Sequence, residues 1–134
     1  MKSNKNKKLK YISVNEIIKL HRDILDETGG EYGILSRGDI EFITDFIKSQ
    51  IYSMNIKDKF YLSALILRNI ISGHPFVDGN KRTGIEATDL FLRKNGYYLE
   101  MTVKEGVEFA LAVAKNETNL ESIYDWIKSH SKKI

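Results

Sequence analysis

Residues 64–84 read ALILRNIISGHPFVDGNKRTG, and this stretch joins the most apolar segment of the chain to its densest group of reactive side chains. The apolar part predicts a helix over roughly 57–72, which is apolar on most of its faces and is therefore expected at the centre of the fold. A further helix is predicted over about 80–94, before the stop signal Asn95-Gly96. The loop between these helices holds a histidine, the only proline, an acid and an amide.

Apolar residues outside this stretch also recur at helical spacing. Ser13 and Glu16 are predicted to form a capping box at the start of the first helix, which ends at Gly29-Gly30. Further helices are predicted near 37–53, 103–115 and 119–131, with residues 97–102, YYLEMT, as a short extended link. Because no internal repeat or interdomain linker interrupts this pattern, the sequence predicts an all-α fold, a compact single-domain helical bundle over residues 11–134.

The composition is that of a globular protein. The 134 residues suffice for one domain with a real core, and 42% hydrophobic with 29% charged residues is an ordinary balance. The chain has no cysteine, so neither disulfides nor thiolate metal sites are available. No apolar run is long enough to cross a bilayer, and the lysine-rich start lacks the apolar region of a signal peptide. We therefore expect a cytoplasmic protein without a membrane partner.

Positive charge is concentrated at the start of the chain. Five of the 21 basic residues lie in the first ten positions, where there is no acid. Residues 11–134 carry the other 16 basic side chains against 18 acidic ones, so the body has no basic excess to follow a nucleic-acid backbone. Residues 1–10 are predicted to form a solvated, disordered basic tail, with an RNA- or DNA-binding arm as the alternative. No direct nucleic-acid binding is expected of the body.

The loop after the apolar helix is predicted to present His74 at the surface. Gly73 suits the left-handed position that ends a helix. Pro75 is expected to push His74 out of helical conformation and into an extended one. Phe76 then turns inward and anchors the loop in the core.

The start of the following helix has the properties of an anion site. Asp78-Gly79-Asn80 is a turn sequence that leaves the first backbone N–H groups of the helix free to bind an anion. Lys81 and Arg82 add two cations at the same end. Because cations there oppose the helix dipole, stability alone does not favour them, and we expect an anion between them.

These side chains suit three roles: a general base, a metal ligand and a group of donors and cations that binds phosphate. A carboxylate such as Asp78 fits beside a phosphate when it shares a hard cation such as Mg²⁺ with the phosphate oxygens. A histidine such as His74 can take a proton from an incoming hydroxyl at neutral pH. The combination indicates phosphoryl or nucleotidyl transfer, in which positioning and charge neutralisation supply most of the catalysis.

Each residue also has an ordinary structural explanation. His74 with its proline can simply stop a helix, Asp78 can cap the next one, and Arg82 can pair with Glu86 on the surface. The concentration of all of them within nine residues at a helix start favours the functional interpretation. His21, inside the first helix, is interpreted as a structural residue.

The loop HPFVDGNKRTG closely resembles the signature of the Fic/Doc family, H-P-F-x-[DE]-G-N-[GK]-R, without a gap over residues 74–82. The resemblance implies an all-α fold and, as the usual reaction, transfer of AMP from ATP to a protein hydroxyl. It assigns these roles: His74 as general base, Asp78 as Mg²⁺ ligand, Asn80 as a phosphate-orienting amide, Arg82 as a phosphate-binding cation, Gly79 and Lys81 as further members of the nucleotide site, and Phe76 as loop anchor.

Two departures from the AMP-transferring members look like the Doc branch of the family. Lys81 stands where those members have glycine, and Ile85 stands where they have a second arginine. Doc proteins, toxins of the death-on-curing type, use the same loop with the nucleotide reversed and act as protein kinases on a translation elongation factor. The resemblance therefore implies a Doc-like kinase with ATP and Mg²⁺ as cofactors. AMP transfer is the first alternative, and a catalytically silent module that binds a nucleotide or a protein is the second.

Two further expectations concern partners. Many AMP-transferring relatives carry an inhibitory helix with the pattern [ST]-x-x-x-E-[GN], but the only candidate here, Glu105-Gly106, has Met101 at the first position. Restraint by a separate, Phd-like antitoxin is therefore expected. Residues 29–38, GGEYGILSRG, are expected to form the family's flap, which would hold the protein target against the site through Tyr32, Ile34 and Leu35. An ordinary interhelical loop is the alternative.

Overall fold

The computed structural model of this protein describes residues 7–134, and it confirms the all-α prediction within that range. Six helices and one short pair of strands follow one another along the described chain. Their bounds are α1 Val14–Thr28, α2 Arg37–Tyr52, α3 Lys59–Gly73, α4 Asn80–Lys94, β1 Tyr97–Leu99, α5 Val103–Ala114, α6 Leu120–Ser129 and β2 Ser131–Lys133. In the described part of the chain, no helix is both long and apolar enough to span a membrane.

Helix α3 lies at the centre of the molecule, in agreement with its predicted apolar surface. It packs against α2, α4, α5 and α6. Leu62 and Ile66 on one side belong to the core cluster shared with α1 and α2, while Ala64 and Leu67 belong to the cluster shared with α5 and α6. Burial of one large aliphatic side chain stabilises a fold by about 1.5–3 kcal/mol. Because α3 contributes such side chains to both clusters, it holds the two halves of the core together.

Helices α3 and α4 pack closely, and this fixes the loop between them. They are in tight contact at Gly84, where a Cβ atom would be 2.6 Å from Cγ1 of Ile71. A distance this short leaves no room for a side chain, so glycine is what allows the backbones to come together. The start of α4 is thereby held against the end of α3.

The first helix begins and ends where the sequence predicts. The hydroxyl of Ser13 accepts a hydrogen bond from the N–H of Glu16 at 3.1 Å, and the Glu16 carboxylate accepts one from the N–H of Ser13 at 2.9 Å. Gly29 forms the C-cap, and its N–H donates to the carbonyl of Leu25. Both ends of α1 are therefore set by local sequence.

The end of the chain differs from the prediction of a helix up to residue 131. Helix α6 stops at Ser129, and β2 pairs antiparallel with β1, with Leu99 opposite Ser131 and Tyr97 opposite Lys133. The extended link was expected, but its partner strand was not. The sequence SKK has neither the apolar alternation nor the β-branched residues that indicate a strand, so only the neighbouring β1 determines its conformation.

The predicted basic tail falls only partly within the described chain. Residues 1–6 lie outside the described residues. Leu9 packs against the core cluster of α1 and α2, and Lys10 exchanges two backbone hydrogen bonds with the Asn95 side chain, at 2.8 and 3.0 Å. Residues 9 and 10 thus contact the body of the protein.

Candidate active site

His74 ends α3 in a left-handed conformation, with φ 55° and ψ 55°. The expectation that Gly73 would take this position and His74 would be extended is therefore wrong. The helix continues through Gly73, and the N–H of His74 still donates to the carbonyl of Ile70 at 3.1 Å. Because Pro75 disfavours the right-handed helical conformation for the residue before it, the chain turns at His74 itself. Histidine tolerates this region better than most residues, and its side chain is exposed.

Phe76 and Asn80 lock the loop. Phe76 is fully buried in the core, while Asn80 is only 4% exposed. The Asn80 side chain accepts a hydrogen bond from the N–H of Phe76 at 3.0 Å and donates one to its carbonyl at 2.9 Å. Both ends of this amide take part in these bonds, so the Asn80 side chain also holds the loop in place. Its expected role as a phosphate-orienting amide stays a prediction. The residue keeps its backbone N–H for an anion.

His21 supports the same loop from α1, which the sequence analysis did not identify. Its ring stacks on Phe76 with centroids 3.8 Å apart, and it is 4% exposed. Its Nε2 lies 2.7 Å from the carbonyl oxygen of Asp78. Because a carbonyl oxygen only accepts, Nε2 must carry the proton in this contact. The available signal was its place on the buried stripe of α1 with Ile17 and Ile24.

The start of α4 is open. Gly79 is its N-cap in the left-handed conformation, with φ 78°, and no side chain caps the helix. The first intrahelical bond runs from the N–H of Thr83 to the carbonyl of Gly79 at 2.9 Å. The N–H groups of residues 80–82 therefore have no acceptor within the helix. Within the described chain, Lys81 and Arg82 form no ion pair, so the alternative of an Arg82–Glu86 surface pair is not seen.

Asp78 precedes this helix start and does not cap it. Its carboxylate accepts from the N–H of Glu31 at 3.1 Å and from the N–H of Gly79 at 2.8 Å. These two hydrogen bonds, that of Glu31 first, hold the pKa of Asp78 below its ordinary value of 3.8, and the charge of Lys81 adds to the effect. The exposed carboxylate is therefore ionised at neutral pH. Each oxygen has a further lone pair, so the group could also contact a hard cation.

The segment 29–38 lies alongside the loop. Ile34 forms an isolated antiparallel bridge with Phe76, and the N–H groups of Leu35 and Ser36 donate to the carbonyl of Pro75 at 2.8 and 3.1 Å. Tyr32, Ile34 and Leu35 remain 58%, 41% and 64% exposed. The backbone of Ile34 and Leu35 thus lies beside the loop, while the Tyr32 hydroxyl donates a hydrogen bond to Asp26 on α1.

A cleft of about 430 Å³ opens beside the first two turns of α4. Lys81, Arg82 and Glu86 contribute its charged side chains. Its apolar lining consists of Ile85, Met101, Val103, Gly106, Val107 and Ala110. Neither His74 nor Asp78 belongs to the lining, so the cleft adjoins the loop residues and does not contain them.

Known proteins resemble this chain in sequence and in fold. The model of the Fic/DOC family matches residues 11–92. "Protein kinase doc" of Escherichia phage P1 is 31% identical over 120 residues, which cover 90% of this chain and 94% of that protein. A solved structure of Fic-1 from C. elegans, a fragment, is similar in fold with a TM-score of 0.71 at 20% identity, and a variant of that fragment gives 0.70. The match covers 90% of this chain and 40% of the Fic-1 fragment. The chain belongs to the Fic/Doc family, in its Doc branch.

Proposed function

We propose that this protein is a Doc-like protein kinase, which transfers the terminal phosphate of ATP to a hydroxyl group of a target protein. The observation that carries the proposal is the open start of α4. Three backbone N–H groups without intrahelical acceptors lie there together with Lys81 and Arg82, neither of which has an ion-pair partner among the described residues. Such a helix start stabilises an anion that carries high charge.

Each reactive residue has one role in this proposal. His74 takes the proton of the target hydroxyl, whose oxygen then forms a bond to the γ-phosphorus. The bond from that phosphorus to the bridging oxygen breaks, and ADP leaves with the electron pair. The N–H groups of residues 80–82 and the Arg82 guanidinium hold the phosphate oxygens. Asp78 would hold Mg²⁺, an ion that proteins bind through one or two carboxylates together with phosphate oxygens, and the charge of that ion would neutralise the triphosphate.

The choice of phosphoryl over AMP transfer follows from residues 81 and 85. A terminal phosphate carries close to two negative charges and an α-phosphate about one, so the additional cation Lys81 favours the terminal group. Ile85 is 8% exposed and belongs to the core cluster of α5 and α6, so it offers no cation to the rest of the triphosphate. AMP transfer is the second candidate, because the same loop can activate a hydroxyl against either phosphorus. A catalytically silent binding module is the third.

The proposed partners come from the resemblance to Doc. The target is a protein, with a translation elongation factor as the class implied, and the chain acts in the cytoplasm as the toxin of a pair with a Phd-like antitoxin. The contacts of Glu105 support an external inhibitor. Its carboxylate accepts from the N–H of Thr102 at 2.8 Å in a capping box, so it serves the start of α5.

ATP labelled separately at the α and the γ phosphate distinguishes the three candidates. The protein is incubated with Mg²⁺, each labelled ATP and a cell lysate, with His74→Ala as the matched control. We expect γ-label on one protein of the lysate, a mass gain equal to one phosphate, and no label with the control. Label from the α position would replace the kinase with an AMP transferase. Binding of ATP without labelling would leave the silent module.

A further inference from the structure

We propose that a surface patch at the far end of α4 binds single-stranded nucleic acid. The patch collects side chains from three parts of the chain: the residues before α1, the last turns of α2 and the end of α4. Its members, here called the lysine–tyrosine patch, are Lys8, Lys10, Tyr11, Lys48, Tyr52 and Lys94. The proposal does not depend on the proposed kinase activity, whose residues lie at the other end of α4.

Side-chain contacts hold the lysine–tyrosine patch together. The Lys8 ammonium donates to the carbonyl of Ile51 at 3.4 Å and lies 5.9 Å from the centre of the Tyr52 ring. The Lys48 ammonium lies 4.7 Å from the centre of the Tyr11 ring. The two tyrosine rings meet edge to face, with centroids 6.2 Å apart. Two tyrosines and two lysines therefore form one continuous surface.

An open groove of about 330 Å³ extends the patch from α2 to α4. Both tyrosines line it together with Lys10, Lys94 and Glu16. Among the described residues that line the groove, Glu16 is the only acid, and Lys94 pairs with it at 2.7 Å. Four lysines against one glutamate leave an excess of three positive charges in the patch. Asp45, three positions before Lys48 on α2, limits the positive surface on that side.

The fold creates this positive surface on a body that is net negative. Residues 11–134 carry 16 basic and 18 acidic side chains, and the expectation of no nucleic-acid binding by the body rests on that sum. The sum does not show where the charges lie. Lys48 and Lys94 come from different helices, and the structure brings both to the basic start of the chain, which has five lysines and no acid in its first ten residues.

Tyrosines between the lysines favour a single strand over an acidic peptide as the partner. Lysines neutralise backbone phosphates, and an unpaired base presents a flat face that stacks on an aromatic ring. Tyr52 is 50% exposed, so its ring has free surface for a base. An acidic peptide offers carboxylates but no base to stack. RNA and DNA share the chemistry that this patch recognises.

The patch lies apart from the candidate active site. Helix α4 has 15 residues, so Lys94 at its end is about 21 Å from its start at a rise of about 1.5 Å per residue. A strand at the patch therefore leaves the start of α4 free for another ligand.

Fluorescence anisotropy with the full chain and labelled strands tests the proposal. Oligo(U) and oligo(dT) of about ten nucleotides match the length that single-strand-binding folds cover. We expect at least one strand to bind, with a Kd that rises steeply with salt because each neutralised phosphate releases counterions. A preference for oligo(U) would identify the partner as RNA, and a preference for oligo(dT) as DNA. Failure of both strands to bind at low salt would overturn the proposal.

Polyglutamate of the same length tests the role of the bases. It should bind about tenfold more weakly than the better strand, because its carboxylates gain nothing from the tyrosine rings. Equal binding of polyglutamate and the strands would assign the patch to an acidic protein and overturn the proposal.

Paired lysine variants locate the binding surface. Lys8→Gln combined with Lys48→Gln should raise Kd for the strand about tenfold and make it less sensitive to salt. Lys104→Gln combined with Lys115→Gln removes the same charge at exposed positions outside the patch, and should leave Kd within about twofold. An equal loss in both pairs would show that net charge binds the strand. An equal loss in Lys81→Gln combined with Arg82→Gln would place the strand at the start of α4; either result would overturn the proposal.

Tyr52→Leu tests stacking, since leucine keeps an apolar side chain and removes the ring. We expect Kd for the strand to rise about tenfold and Kd for polyglutamate to stay within about twofold. Tyr124→Leu is the control, because Lys128 lies 5.7 Å from the Tyr124 ring centre on α6, outside the patch. Thermal unfolding checks that each variant is folded. Strand affinity that is unchanged in Tyr52→Leu would contradict a base on this ring and overturn the proposal.

Discussion

At the scale of single residues, the loop has two kinds of side chain: exposed side chains that are candidates for the reaction, and buried side chains that hold the loop in place. His74 is exposed and lies in a left-handed conformation, while Phe76, Asn80 and His21 are buried beneath it and bonded to one another or to the loop backbone. The supporting residues are almost fully buried. The exposed residues, in contrast, have few contacts to lose. Substitutions at the two kinds of position should therefore affect different properties.

His74 offers a test of this separation. His74→Ala and His74→Gly should both abolish transfer, because neither side chain accepts a proton. Unlike alanine, glycine adopts φ 55° without strain, so His74→Gly should be more stable than His74→Ala by about 0.5–1 kcal/mol. Urea unfolding measures the difference, and labelled ATP measures transfer. Equal stability of the two variants would contradict the assigned backbone conformation, and retained transfer would contradict the base.

Asp78 should make the free energy of unfolding depend on pH. Its pKa in the folded protein lies below the ordinary value of 3.8, so the unfolded chain binds the proton more tightly. The stabilisation is present above about pH 4 and is lost as pH falls through the lowered folded pKa. Compared with Asp78→Asn, the wild type should therefore be more stable at neutral pH, and the difference should shrink in acid.

Urea unfolding of the wild type and Asp78→Asn between neutral pH and acid measures this difference. Asp45→Asn is the matched control, since Asp45 is exposed on α2 and makes no hydrogen bond or ion pair within the described chain. A stability difference for Asp78→Asn that is constant with pH would show that the carboxylate charge is not held by the N–H groups of Glu31 and Gly79.

At the scale of elements, the approach of α3 to α4 decides where the loop lies. Gly84→Ala should destabilise the protein by about 1–3 kcal/mol, because the added Cβ meets Ile71 at 2.6 Å and forces the helices apart. Gly73→Ala is the control at the end of α3, where a Cβ has no atom within 4 Å, and it should be neutral or slightly stabilising. Thermal unfolding measures both. A harmless Gly84→Ala would mean that the helix contact is not as tight as described.

The segment beside the loop, residues 29–38, is the second element with a testable role. Replacing Tyr32, Ile34 and Leu35 together with serine should weaken modification of the protein target more than binding of ATP, because these side chains are exposed and the bridge to Phe76 is made by backbone. Labelled transfer and ATP titration measure the two effects. Equal loss of both, or loss of neither, would remove the flap assignment and leave an interhelical loop.

At the scale of the whole molecule, the described residues contain no internal group that blocks the start of α4. The nearest sequence match to an inhibitory glutamate, Glu105, is bonded to the cap of its own helix. Expression of this chain alone should therefore slow bacterial growth, and co-expression of the antitoxin should restore it. His74→Ala should grow normally at the same expression level. Normal growth with an enzyme that is active in vitro would contradict control by a second chain.

Local sequence determined the helices, their caps and the composition of the loop. Ser13 with Glu16, Gly29 and the apolar run of α3 act over a few residues, so their effect can be read without a fold. The signature over residues 74–82 likewise indicated the family and the candidate reactive side chains. All of these residues lie in one turn and the helix start that follows it, so their order can be read directly from the sequence.

Tertiary structure alone decided what these residues contact. The stacking of His21 on Phe76 joins residues 55 positions apart, the occupation of the Asn80 amide depends on how the loop closes, and β2 is a strand only because β1 lies beside it. Gly84 is required because α3 and α4 pack tightly against each other at that position. The residues next to Gly84 in the sequence give no sign of this contact. Such contacts join distant parts of the chain, and their energy depends on the packing of the whole core.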